Sequence, residues 1–124
     1  MNRPWLLVFV EDPDLRTLIE EIAQEKQLDF HFAAQGEQLL QSVKTLRPMM
    51  MIADLSGLNT EWLFKHIAEI ANLQPDFPIV AFLASREEGA RYRLEHAGCK
   101  MVLHKSEVEK KLPEAIENVL KGRF

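Results

Sequence analysis

Five apolar runs punctuate the chain, and between them the hydrophobic residues recur at helical spacing. The runs are WLLVFV (5–10), LDFHFAA (28–34), MMMIADL (49–55), FPIVAFLA (77–84) and CKMVLHK (99–105). Short continuous apolar runs bounded by turn residues read as buried strands. After the first run, EDPDLRTLIEEIAQEKQ switches to helical period and places Leu15, Leu18, Ile19 and Ile22 on one face. Asp12 followed by Pro13 reads as N-cap then first helical residue, because proline lacks only an N–H that the helix end leaves orphaned. After Gly36 a second helix carries Leu39, Leu40, Val43 and Leu46 inward, and Pro48 closes it. TEWLFKHIAEIANLQ forms a third, with Leu63, Ile67 and Ile70 inward. Ser85 and Glu88 make a capping-box pair ahead of GARYRLEHAG, which Gly98 stops. LPEAIENVL is the last helix, entered through Pro113.

Strands that are apolar on both faces, each separated from the next by a helix, indicate a parallel sheet covered on both sides, hence a doubly wound α/β domain. In such sheets function gathers at the carboxyl ends of the strands, where the connecting loops leave a crevice flanked by helix N-termini. The positions to inspect are therefore Glu11 and Asp12, Asp54 to Gly57, Leu83 to Ser85, and Lys105 with Ser106.

A chain of 124 residues fits a single domain over 1–124 with a core that needs no staples. The balance of 15 Lys and Arg against 19 Asp and Glu gives a formal charge of −4, which offers no electrostatic footprint for nucleic acid. The single cysteine, Cys99, excludes an internal disulfide framework, and His31, His66, His96 and His104 show no zinc-ligand spacing with it. A reducing, cytoplasmic setting is expected. The apolar run at Trp5 to Val10 is too short for a membrane span or a signal-peptide core.

Asp54 ends an apolar run, and a carboxylate there calls for a partner, a metal or a chemical task. Acids at the ends of the first and third strands and an amine at the end of the fifth converge on one crevice. Paired acids suit a hard divalent cation such as magnesium, and a lysine opposite suits an anion such as phosphate. With this geometry the chain resembles the receiver domain of two-component response regulators along nearly its whole length. PDLRTLIEEI resembles the first receiver helix, AAQGEQLL the family's AA-x-G-E-x-A-L entry to helix two, and RPMMMIADL its RPDLVLLDL. FPIVAFLA resembles the fourth strand, and AGCKMVLHKSEVEKKLPEAI the family's AGADDYLLK followed by LPxAI. The resemblance implies a five-stranded sheet of order 2-1-3-4-5, Asp54 as phosphoacceptor, Lys105 as the lysine that pairs with the phosphoryl group, and magnesium as cofactor. It also implies a histidine kinase or phosphotransfer protein as donor and a further protein as recipient of the signal.

Several positions depart from the family. Aligned through Pro13 without a gap, its acidic pair falls on Val10 and Glu11, so one acid is missing and Glu11 is the direct metal ligand. With one residue deleted before Pro13, Glu11 and Asp12 form the full pair. The ungapped alignment keeps the helix in register and is preferred. The metal set is then Glu11, Asp54 and the backbone carbonyl of Ser56, with Asp12 as the alternative acid, and binding is expected to be weak. The hydroxyl that senses phosphate falls on Leu83, the aromatic switch residue on Val102, and the proline after the lysine on Ser106.

Plainer roles compete at each position. Asp54 and Lys105 could form a purely structural ion pair, and Asp12 reads foremost as a helix cap. The run from Met49 to Met51 reads as strand core, Trp5 and Trp62 as packing, and Cys99 as an inert buried thiol. Strand alternation turns His104 away from its neighbour Lys105. A flavin or nucleotide enzyme on this fold would need a Gly-rich phosphate loop, and none occurs. The expectation is a non-enzymatic signalling receiver with an atypical switch, the alternative being a phosphorylation-independent pseudo-receiver that works as an interaction module.

Overall fold

The computed structural model describes residues 3–34, 37–56, 60–84 and 87–124. The elements are β1 (Trp5–Phe9), α1 (Pro13–Glu25), β2 (Asp29–Phe32), α2 (Leu39–Leu46), β3 (Met50–Asp54), α3 (Thr60–Leu73), β4 (Ile79–Leu83), α4 (Glu88–Ala97), β5 (Met101–His104), a 3-10 turn (Lys105–Glu107) and α5 (Val108–Leu120). The strands form one sheet of order β2-β1-β3-β4-β5, and every pairing is parallel.

Side-chain alternation divides the core in two. Leu6, Val8, Met50, Ile52, Val80, Phe82 and Leu103 face α1 and α5, where Ile19, Ile22, Val108, Leu112 and Ile116 meet them. Leu7, Phe9, Met51, Ala53, Ile79, Ala81 and Val102 face α2, α3 and α4, covered by Leu39, Val43, Leu63, Ile67, Ile70 and Leu94. Each Val, Leu, Ile, Met or Phe side chain among them, removed from water, contributes about 1.5–3 kcal/mol before entropy is charged against it. Met50 and Met51 are fully buried strand core, and Trp62 packs its ring 5.3 Å from that of Phe9.

The helix ends follow local chemistry. Asp12 caps α1, its Oδ1 accepting from the N–H groups of Asp14 at 2.9 Å and Leu15 at 3.4 Å, with Pro13 opening the helix. Gly98 ends α4 at φ 115°, and a Cβ there would collide with the Cβ of Ala71 in α3, so both conformation and proximity require glycine. Ser85 of the expected capping box lies outside the described residues; Glu87 is the N-cap of α4 and makes no side-chain cap bond.

Two sequence expectations are corrected. The last helix does not start at Pro113 but at Val108, because Val108, Leu112, Ala115 and Ile116 form one buried stripe and the 3-10 turn feeds directly into it. Pro113 therefore sits inside the helix, where its missing N–H leaves the carbonyl one turn earlier without its usual donor. Leu46 does not turn inward: it is 60% exposed, at the end of a short helix that breaks immediately at Arg47 with φ 49°.

Candidate functional site

Asp54 is the last residue of β3 and the one charged residue among the buried side chains described. It follows Met50 and Ile52 on the sheet face covered by α1 and α5, so its carboxylate emerges beside the start of α1 and the end of β5. Lys105, the first residue after β5, reaches back across the sheet edge. Its Nζ lies 3.4 Å from Asp54 Oδ2 and 3.5 Å from Asp12 Oδ2, so one ammonium bridges two carboxylates from different loops. The Asp54 side chain is only 6% exposed and that of Lys105 28%, which places the pair in a partly water-excluded crevice.

Both Asp54 oxygens are engaged. Oδ2 meets Lys105, and Oδ1 accepts from the Ser56 N–H at 3.0 Å and the Ser56 hydroxyl at 2.6 Å. This is an Asx turn, in which an aspartate binds the N–H two residues on. The spacing Asp54-x-Ser56 carried that signal, yet the sequence drew attention only to the Ser56 carbonyl. Asp12 divides its oxygens in the same way, Oδ1 capping α1 and Oδ2 facing Lys105. Its carboxyl is held below the usual range, first by the Asp14 N–H, against a smaller opposing effect of burial, with Leu15 and Lys105 adding to the lowering. Asp12 is thus a cap, as expected, and a member of the crevice as well.

Glu11 is exposed on the loop after β1. The Val10 side chain is 1% exposed and packs with Leu6, Val8 and Ile19 in the core. The Val10 carbonyl accepts from Arg16 Nε at 2.6 Å, with the guanidinium 4.6 Å above the Phe32 ring. Among the described residues no three His, Cys, Asp or Glu side chains are gathered closely enough to hold a metal. The oxygens of Asp54, Glu11, Asp12 and Ser56 are of the hard type that magnesium takes.

Leu83 ends β4 with its side chain in the apolar cluster, against a cavity of about 230 Å³ lined also by Leu55, Phe64, Ala90 and Leu94. Val102 is 4% exposed and inward. Neither offers a hydrogen bond or a ring. The ring of His104, turned away from Lys105 as alternation requires, bonds the Ala84 carbonyl and the turn that follows β5. Cys99 is buried, and burial, helped by Glu95, pushes its thiol up to about 12, which keeps it inert. Among the described residues no helix is long and apolar enough to cross a membrane.

The sheet order and the carboxyl-edge crevice define a doubly wound protein of the flavodoxin-like class. The chain belongs to the response regulator receiver family, whose family model, described as the response regulator receiver domain, matches residues 6–117. No curated protein matches it in sequence. Among solved structures it is similar to the CheY-like receiver domain protein of Methanospirillum hungatei, with TM-score 0.81 and 14% identity over 98% of this chain and 97% of that one. A response regulator from Thermotoga maritima gives TM-score 0.79 and 13% identity over 97% and 99% of the two chains. The receiver domain of a sensor histidine kinase from Pseudomonas aeruginosa, whose structure has a magnesium ion coordinated in the active site cleft, gives 0.76 and 20% over 97% and 99%. At these identities the structural likeness speaks for the fold, and the family rests on the sequence match.

Proposed function

We propose that this receiver accepts a phosphoryl group on Asp54 from a phosphohistidine of a histidine kinase or phosphotransfer protein. The observation that carries the reading is the buried Asp54 carboxylate facing Lys105 at 3.4 Å at the carboxyl edge of the sheet. An Asp54 oxygen forms the new P–O bond as the P–N bond of the donor breaks, and the electron pair returns to the imidazole nitrogen, which takes up a proton. The Ser56 hydroxyl can turn off Oδ1 about one bond, leaving that oxygen the Ser56 N–H alone, and Lys105 can shift from Oδ2 to the phosphoryl oxygens. Magnesium, held weakly by Asp54, Glu11 and the Ser56 carbonyl with Asp12 as the further acid, would neutralise charge on the phosphoryl group. The module acts as a single cytoplasmic domain over 1–124 that passes its signal to a protein partner and performs no turnover of its own.

A second reading, a pseudo-receiver that signals by interaction alone, draws support from Leu83 and Val102, both buried where the family places its switch residues. Intact mass after incubation with acetyl phosphate and magnesium separates the two. The first reading expects a gain of one phosphoryl group that Asp54→Asn abolishes; an unchanged mass at saturating donor favours the second.

A further inference from the structure

His104 is the last residue of β5, and its ring connects three segments. Nε2 lies 2.8 Å from the carbonyl oxygen of Ala84, the residue that follows β4. Nδ1 lies 3.1 Å from the N–H of Ser106 and 2.7 Å from its hydroxyl. A backbone N–H can only donate, so Nδ1 is the acceptor and the proton sits on Nε2, which donates to Ala84. The backbone N–H of His104 in turn donates to Glu107 Oε1 at 2.9 Å, closing a reciprocal capping box around the 3-10 turn.

The same turn is pinned from its other side. Glu107 pairs with Lys111 of α5 at 2.5 Å and lies 3.9 Å from Arg91 of α4. Arg91 also donates to the Val102 carbonyl at 2.8 Å. Thus the end of β4, the start of α4, β5 and the start of α5 share one polar network, and the His104 ring links it to Ala84. The side chains of Leu83, one residue before Ala84, and of Val102, two before His104, contribute only apolar packing.

We infer that His104 is a latch that ties Ala84, just after β4, to the β5–α5 turn and holds the α4–β5 surface in one conformation whatever the state of Asp54. The clause on Asp54 rests on the phosphoacceptor reading; the tie itself does not. The ring replaces a contact that phosphate could strengthen by one that is indifferent to phosphate, since Ala84 and Ser106 are bonded without it. A ligand moves a conformational equilibrium only by its differential affinity for the two states, and a permanent tie removes that difference.

The variant His104→Asn separates cap from tie. Asparagine is a good N-cap and keeps an acceptor for the Ser106 N–H, but it is too short to reach Ala84. His104→Gln extends an amide donor towards Ala84. Amide hydrogen exchange over residues 80–94 is expected to quicken about five- to tenfold in His104→Asn, the equilibrium worth of one hydrogen bond, with residues 108–120 unchanged and Gln recovering part of the protection. Equal exchange in the wild type and His104→Asn overturns the latch. In parallel, beryllofluoride with magnesium is titrated, its binding followed at the Asp54 and Lys105 amides. Once it is bound, residues 87–104 of the wild type should keep their chemical shifts while those of His104→Asn move. Shifts across 87–104 in the wild type overturn the latch even where His104→Asn fails to fold. No response at Asp54 and Lys105 counts against the phosphoacceptor reading alone, and the exchange data then decide the latch.

Discussion

Replacing Lys105 by methionine keeps the aliphatic stem and removes the charge that two carboxylates share. At 3.4 Å a full charge pair is worth ~5 kcal/mol at an effective dielectric constant of 20. Against that stand the partial hydration of a lysine side chain 28% exposed and the rotamer entropy of holding it, up to roughly 2 kcal/mol. The net coupling between Lys105 and Asp54 should therefore be about 1–2 kcal/mol. Lys105→Met should cost about 2 kcal/mol at neutral pH, because Asp54 then keeps only the Ser56 bonds and faces Asp12 uncompensated. In an Asp54→Asn background the same change should cost less than about 1 kcal/mol, the remainder belonging to Asp12.

Urea unfolding of the four proteins, wild type, each single variant and the double, measures that cycle directly. Because Asp54 is only 6% exposed, the coupling should survive an increase in salt that removes surface pairs such as Arg3 with Asp29. Additivity within about 0.5 kcal/mol would make Lys105 a solvated loop lysine and refute the shared-ammonium account.

Val10→Asp should tighten magnesium by about three- to tenfold through added ligand charge while lowering stability, since it buries a carboxylate among Leu6, Val8 and Ile19; calorimetric titration without any gain would favour Glu11 and Asp12 as the acidic pair. Glu107, drawn down from 4.5 to about 2 first by Lys111 and then by the His104 N–H, contributes stability that is fully present above 4.5 and is lost as pH falls through about 2; a carboxyl-carbon NMR midpoint near 4.5 would contradict that network. Pro113→Ala should stabilise by about 1–3 kcal/mol by returning an N–H to the interior of α5, whereas a helix that began at Pro113 would gain nothing; thermal unfolding decides. Gly98→Ala should destabilise by about 2 kcal/mol or more, and adding Ala71→Gly should recover only the steric share, since φ 115° stays unfavourable for alanine in any background; chemical denaturation of both variants measures each share.

The layered fold was legible because β1, β3 and β4 are apolar on both faces and their helices keep strict spacing, as Leu63, Ile67 and Ile70 do. Asp54 and Lys105 were legible for a related reason: each is a charge set directly at the end of an apolar run, and parallel topology brings such ends to one edge. Pro113 misled because proline is commonest at a helix start, and only the buried position of Val108 reveals the extra turn before it. Leu46 has the right period, but a helix of eight residues that ends in a left-handed residue carries its last turn past the sheet. The Ser56 tie was legible in the Asp-x-Ser spacing of an Asx turn, though hydrophobic period does not carry it; the His104 tie was not, because it depends on where a ring nitrogen stands relative to a distant carbonyl.

The crevice and the surface beside it are thus built to different ends. Around Asp54 the side-chain contacts can be exchanged: the Ser56 hydroxyl can turn, and Lys105 already divides itself between two acids, so a third anion competes on similar terms. Lys105 links Asp54 to Asp12, whose other oxygen caps α1. The electrostatic path out of the site therefore leads towards the start of α1. Towards α4, among the described residues, stand the apolar Leu83 and beyond it the network of His104, Glu107 and Arg91. Among the described residues, the charged link from Asp54 runs through Lys105 to Asp12, and so to the start of α1.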